Sequence, residues 1–241
     1  DERNSLVGSE MCIRDRDVVW HFFNRGYKGK GMFIALDKIT AVRMYELITH
    51  HWKQMIENLE KEVIKGKYGD QELLEKVREL NWIKETEICV VVSSEQNEIQ
   101  KFQKWELDIE PHREKMNTQD LETRFKSEDD PFRLVIVCAM WITGFDVPSL
   151  STMYIDKPLK SHTLMQAIAR ANRISEGKNN GLIVDYIETY TALLDALAIY
   201  GAGGEGGNSG GEKTEPPVKL KEELIRQLEE VLVATETFLL D

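Results

Sequence analysis

Five short apolar runs recur along the chain, each five to seven residues long and rich in Val, Ile and Met: GMFIALD (Gly31 to Asp37), ICVVV (Ile88 to Val92), RLVIVCA (Arg133 to Ala139), STMYID (Ser151 to Asp156) and GLIVDY (Gly181 to Tyr186). Runs of that length without polar alternation predict strands buried on both faces. Between them the period changes to that of a helix. Val42, Tyr45, Ile48, Trp52, Met55, Ile56, Leu59 and Val63 keep helical spacing from Lys38 to about Lys65, and DQELLEKVRELNWIKE repeats the pattern after Gly66 and Gly69 with a heavier charge. Upstream, DVVWHFFNRG from Asp17 predicts a short helix that stops near Gly26. Between Gln96 and Lys126 the pattern is polar and helical, with Pro111 as a break and Thr118, Gln119 and Asp120 as a helix start. A further helix is expected from His162 to about Asn172, and another from Ile187 to Tyr200. Apolar strands alternating with helices predict an α/β fold of three layers, with a central, mostly parallel sheet.

The ends of the chain read differently. Residues 1–16 (DERNSLVGSEMCIRDR) keep no sustained period, and MCIRDR has the look of a sequencing or assembly scar, so this leader is set apart as non-native or disordered. Residues 17–200 form the expected domain. GAGGEGGNSGGEKTEPP then predicts a flexible linker over 201–217, because ordering so many glycines costs much backbone entropy. Residues 218–241 place Leu220, Leu224, Leu228, Val231, Leu232 and Leu239 on one stripe, an amphipathic helix that begins a helical region.

Composition narrows the class. At 241 residues and 41% hydrophobic, the chain can bury a sizeable core. No run approaches the roughly 18 apolar residues that cross a bilayer, so no membrane partner is expected and the location read from the sequence is cytoplasmic. A net charge of −11 argues against a broad basic surface for nucleic acid and leaves only local contacts. Cys89 and Cys138 fall inside strand runs and Cys12 in the leader, which predicts reduced thiols and no disulfide framework. His21, His50, His51, His112 and His162 make no metal-binding spacing, and no metal site is expected.

Two segments carry chemistry. In QAIARANR, Gln166, Arg170 and Arg173 recur at i, i+4 and i+7, along one face of a helix. Two guanidiniums on one stripe can bind phosphate bidentately and stabilise charge on a phosphoryl group in transfer, although a solvated basic face has the same spacing. In ITGFDVP, directly after the third strand, Gly144 allows close approach of the backbone and Asp146 can accept from a ribose hydroxyl or orient an arginine; a simple turn cap has the same signature. In open α/β sheets, ligands bind outside the carboxyl ends of the strands, where this loop is expected.

Taken together and in order, the strand, ITGFDVPSL, the next strand and DKPLKSHTLMQAIARANR resemble motifs V and VI of the superfamily 2 helicases and translocases. The wording MWITGFDVPSLSTMYIDKPLKSHTLMQAIARANR, then GLIVDYI and LLDALAIY, resembles in particular the R subunits of type I restriction enzymes over residues 17–200. The resemblance implies a second RecA-like motor domain. By its motifs Arg170 and Arg173 would reach the γ-phosphate of ATP, with Arg173 as the arginine finger, while Gln166, Gly144 and Asp146 would lie at the nucleotide. Lys38 and Thr40, in a segment similar to motif IV, and Thr143 would touch the DNA backbone. Cys138 stands where many superfamily members have a threonine that touches the tracked strand, and a thiol donates poorly to phosphate.

The resemblance also implies what lies elsewhere. No GxxxxGK[ST] and no DEAD-like tetrapeptide occurs, so ATP and Mg²⁺ would be held mainly by a first RecA-like domain of the same polypeptide, and this chain alone would neither hydrolyse ATP nor cut DNA. Double-stranded DNA and the methyltransferase and specificity subunits are the implied partners. Two other readings share motifs V and VI: a second motor domain of another superfamily 2 DNA translocase, and a non-enzymatic interaction domain that keeps the fold. Asp156 and Asp185, each ending a strand, have turn or capping roles as their simpler explanation, and the five tryptophans that of core or interface aromatics.

Overall fold

The computed structural model describes residues 2–142, 144–173, 178, 180–187 and 225–226, with the backbone alone for residues 2–12 and Ser161. The chain divides into two units, Asp1–Leu193 and Leu194–Asp241, and the architecture below is that of the first. The expected helix over 187–200, the linker over 201–217 and the helix over 218–241 lie outside the described residues, apart from Ile187, Ile225 and Arg226.

All five expected strands form: β1 (Lys30–Ile34), β2 (Glu87–Val91), β3 (Phe132–Val137), β4 (Leu150–Ile155) and β5 (Leu182–Asp185). They make one sheet in the order β2-β3-β1-β4-β5, and every pairing is parallel. Each strand begins and ends within a few residues of its apolar run. The helices are α1 (Glu2–Asn24), α2 (Lys38–Lys65), α3 (Asp70–Glu85), α4 (Glu98–Gln103), α5 (Glu110–Thr118), α6 (Leu121–Lys126) and α7 (Ser161–Ala171). β1 and β4 are buried at every position, which requires cover on both faces. This is the three-layer, RecA-like arrangement expected from the sequence.

One face is filled by Val18, Phe22, Ala41, Met44, Ile48, Trp52 and Ile83 from α1, α2 and α3, packed on Phe33, Ile88, Val90, Leu134, Ile136 and Tyr154 of the sheet. Trp52 and Trp82 belong to this layer: Trp82 stacks on Phe22 at 5.8 Å, and the Trp52 indole N–H donates to Ile83 O at 3.0 Å. α6 and α7 pack on β3, β4 and β5 and bury Phe125, Leu164, Ala167, Ile168 and Ala171. Asp37 accepts from the Thr40 amide at 2.7 Å and so caps α2, and Asp120 caps α6 through the Thr123 amide at 3.0 Å. Pro111 opens α5 instead of breaking a helix: proline suits the first turn, where its missing N–H would have had no helical partner.

The helix expected from Asp17 extends back to Glu2 and takes in the segment set apart as a leader. Within it Asp15 is buried and Arg14 pairs with Asp156. Two lysines are buried at the other end of the sheet. Lys30 donates to the carbonyls of Asp130 (2.7 Å) and Phe132 (2.8 Å), and Lys178 to those of Pro148 (3.0 Å) and Leu150 (2.6 Å). Each thereby satisfies main-chain acceptors where strands start, and burial pulls both ammonium groups down to about 8.

His112 is a core residue of α5, set edge-on against Tyr45 at 4.5 Å. Burial first, and Lys115 second, lower its pKa from 6.5 to about 4. The folded state therefore binds fewer protons than the unfolded chain between these values. Stability is complete above about pH 6.5 and falls as the pH drops towards 4, by up to about 3 kcal/mol. Urea unfolding of wild type and His112→Phe at pH 7 and pH 4.5 checks this: the variant should lose less stability on acidification, and equal losses would refute the assignment.

Candidate nucleotide-facing site

The carboxyl ends of the central strands are tied to one another by the residues that follow them. Ala35 N–H donates to Val137 O (2.7 Å), Asp156 N–H to Ile34 O (3.0 Å) and Tyr186 N–H to Ile155 O (2.9 Å). Lys157 adds a bond to Cys138 O at 2.9 Å. The loop after β3 therefore leaves from a rigid edge. Beyond it the backbone turns sharply, with Trp141 at φ +66° and Gly144 at φ +75°. A Cβ at Gly144 would meet nothing within 4 Å, so glycine serves the dihedral there and not a close approach.

An aromatic cluster holds this loop from one side. The Trp141 ring lies almost parallel to Phe145, 4.2 Å between centroids, and Phe125 of α6 reaches both at 5.7 and 6.2 Å. α7 holds it from the other. Arg170 Nη1 donates to Trp141 O (3.0 Å) and Ile142 O (2.7 Å), and Arg173 forms an ion pair with Asp146. Burial lowers the Arg170 pKa, and Arg173 adds to the effect while Asp146 opposes it. Arg173 and Asp146 are by contrast both exposed, 53% and 54% by side chain.

The expected stripe is thus brought together, with one change of geometry. α7 ends at Ala171, so Arg173 lies beyond the helix and does not continue its face. Asn172 stops the helix and its Oδ1 accepts from the Gly181 amide at 3.1 Å. The returning chain passes so close that a Cβ on Gly181 would lie 2.1 Å from Ala171 O. Gln166, one turn before Arg170, faces His162 at 3.4 Å, and its buried Oε1 has no partner among the described residues.

Other expected residues are placed as follows. Lys38 pairs with Glu95 at 3.0 Å, and Thr40 sits in the first turn of α2, so neither is joined to the arginines by a hydrogen bond or ion pair among the described residues. Thr143 lies outside the described residues. Cys89 and Cys138 are free and buried; burial pushes Cys89 up to about 12, and Cys138 is only 6% exposed. The Asp185 carboxylate accepts from the Ile187 amide at 3.1 Å, a turn role, and burial raises the Asp156 pKa beside Arg14. No group of three or more potential metal ligands occurs among the described residues. No helix there is long and apolar enough to cross a membrane. A surface cleft of about 390 Å³ beside α4 and α5, lined by Glu98, Asp108, Glu110, Arg113 and Glu114, contains none of the motif residues. The loop expected at the carboxyl edge starts there but runs back towards the strand starts: Trp141 and Phe145 lie on Phe125, which also meets Phe132 at the start of β3, and α7 ends where the chain enters β5.

Sequence reasoning missed two things. It placed Trp141 among generic core aromatics, and nothing in its local spelling signals a left-handed backbone. It also did not see that Arg170 would be engaged by main-chain carbonyls, since those acceptors lie 28 and 29 residues away in the chain.

The exposed pair has a direct consequence. Ion pairs in solvent contribute about 0–1 kcal/mol. Asp146→Asn should therefore change urea unfolding stability by less than about 1 kcal/mol, and a loss above about twice that would show that the pair is structural.

The family model for type I restriction enzyme subunit R domain 3 matches residues 27–188. A chain from Methanocaldococcus jannaschii, assigned as the MjaIXP endonuclease subunit of a type I restriction enzyme, is 35% identical over 202 residues, covering 83% of this chain and 16% of that protein. The type I restriction enzyme HindI endonuclease subunit of Haemophilus influenzae is 34% identical over 206 residues, covering 82% of this chain and 17% of that protein. A solved fragment assigned as the HsdR subunit of a type I restriction enzyme from Vibrio vulnificus YJ016 aligns with a TM-score of 0.49 at 14% identity, over 80% of this chain and 30% of that one. The chain spans about a sixth of the length of the two curated relatives. With the family model matching well over half its residues, this chain belongs to the R subunits of type I restriction enzymes, in the region of their domain 3.

Proposed function

We propose that this chain is the second motor domain of an R subunit that translocates double-stranded DNA at the expense of ATP, and that Arg173 is its arginine finger. The observation that carries the reading is the exposed Arg173 guanidinium just beyond α7, held by the exposed Asp146 carboxylate of the loop between β3 and β4. A guanidinium so placed is charged, exposed and weakly held, so a phosphate can take it from Asp146 at little cost. ATP with Mg²⁺, held mainly by a first RecA-like domain of the same polypeptide, supplies the phosphoryl group in transfer. Arg173 would then stabilise the charge that develops on it. Gln166 on α7, and Gly144 and Asp146 on the loop that α7 holds, would face the nucleotide. Lys38, Thr40 and Thr143 would lie along the DNA backbone, where contacts position the duplex without reading its sequence.

The names of the relatives support a role within a restriction enzyme. In this reading the methyltransferase and specificity subunits are partners of the whole protein, and closure and opening of the cleft between its two motor domains move it along DNA. Cleavage would follow from translocation through a nuclease region of the full subunit.

The reading is tested on the subunit that contains both motor domains. Arg173→Ala should lower DNA-stimulated ATP hydrolysis by about 10³-fold or more, as such groups contribute. A rate within about threefold of wild type would discard the finger role.

A further inference from the structure

Arg170 and Arg173 would share one task if spacing alone decided, yet the fold gives them different surroundings. Arg173 is exposed and meets a carboxylate, whereas Arg170 is half-buried and meets two consecutive main-chain carbonyls, those of Trp141 and Ile142. One guanidinium nitrogen carries two hydrogens and can serve both acceptors at once. The carbonyls belong to the start of the loop that carries Gly144 and Asp146.

That loop has a reason to need holding. Trp141 adopts φ +66°, a left-handed conformation that residues with a Cβ rarely take. Such a backbone persists only where its surroundings over-determine it. The surroundings are two independent clamps: the Trp141 ring stacked on Phe145 and set against Phe125, and the Arg170 guanidinium on the loop's carbonyls.

We propose that Arg170 is a positioning residue that fixes the loop from Trp141 to Asp146, and so sets where Asp146 and its partner Arg173 stand. The proposal deepens the reading of Arg173 given above and rests on it for its functional meaning. It departs from the motif expectation, in which both arginines act on the phosphate directly. An arginine is suited to the task because it keeps its charge while half-buried and presents a planar fork to adjacent acceptors. A lysine in its place could still donate to the same carbonyls, though from a single point.

The experiment is amide hydrogen exchange by mass spectrometry on this chain without nucleotide, comparing wild type, Arg170→Ala and Arg170→Lys. In Arg170→Ala, peptides covering residues 139–147 should exchange at least about tenfold faster, since hydrogen bonds from a charged donor contribute that much or more. Peptides from β3 and α7 should keep their protection. Arg170→Lys should recover most of the loss. Trp141 emission should shift to the red in Arg170→Ala as the ring leaves Phe145, and the shift should vanish when Trp141→Phe is added. Unchanged exchange of 139–147 in Arg170→Ala, with α7 still protected, would overturn the proposal, because an arginine used only for phosphate does not alter the loop in the absence of nucleotide. If Arg170→Ala unfolds α7, Arg170→Gln, which keeps a long helix-forming side chain, is read by the same two outcomes. Since no nucleotide is present, failure here leaves the Arg173 reading standing, and failure of the Arg173 reading leaves the loop result standing.

Discussion

Everything else in this domain depends on a parallel sheet buried on both faces. β1 and β4 have no exposed position, so the middle of the sheet presents no chemistry to solvent on either face, while β5 is partly exposed among the described residues. What remains is the two rows of strand ends. At the amino ends, main-chain carbonyls that leave the ladder need donors, and Lys30 and Lys178 supply them at the cost of burying two ammonium groups. At the carboxyl ends, successive strands tie to one another through Ala35, Asp156 and Tyr186, which makes that edge a firm base for loops.

The loop after β3 uses this base. It turns within a few residues through two left-handed positions, one of them a tryptophan, and is held between the Phe125 ring of α6 and an arginine from α7. Phe125 is central, because it touches Phe132 of β3, Trp141 and Phe145 and so links the sheet to the loop. The outcome is an asymmetric pair of arginines. Arg170 is held by structure, and Arg173 stands in solvent beside a carboxylate that a stronger anion can displace.

The charge balance is consistent with that division. A chain of net charge −11 does not attract polyanions as a whole, and much of its positive charge is already paired locally. Lys38 and Lys101 share Glu95, Arg113 binds Glu98, and Arg124 joins Glu87 to Asp130. These pairs fasten α2, α4, α5 and α6 around β2 and β3, so most of the cations on that side serve packing.

The amino-acid sequence by itself determined the strands, most of the helices and the order in which motif residues arrive. A strand buried on both faces is spelled by a continuous apolar run, and a helix such as α2 by its 3.6-residue period, both local properties. QAIARANR was legible because helical spacing alone places Gln166 near Arg170, whereas Gly144, read as a site of close approach, proved to serve a positive φ with open space beside it. The tertiary structure alone decided the rest. That Arg173 lies past the end of α7 depends on Asn172 meeting the returning chain at Gly181. That Arg170 and Arg173 have different partners depends on a loop nearly thirty residues upstream. That Trp141 is held left-handed depends on the Phe125 ring of α6. Local spelling fixes local conformation, whereas partners brought together by the crossover of a parallel sheet are distant in sequence and acquire their roles only when the sheet assembles.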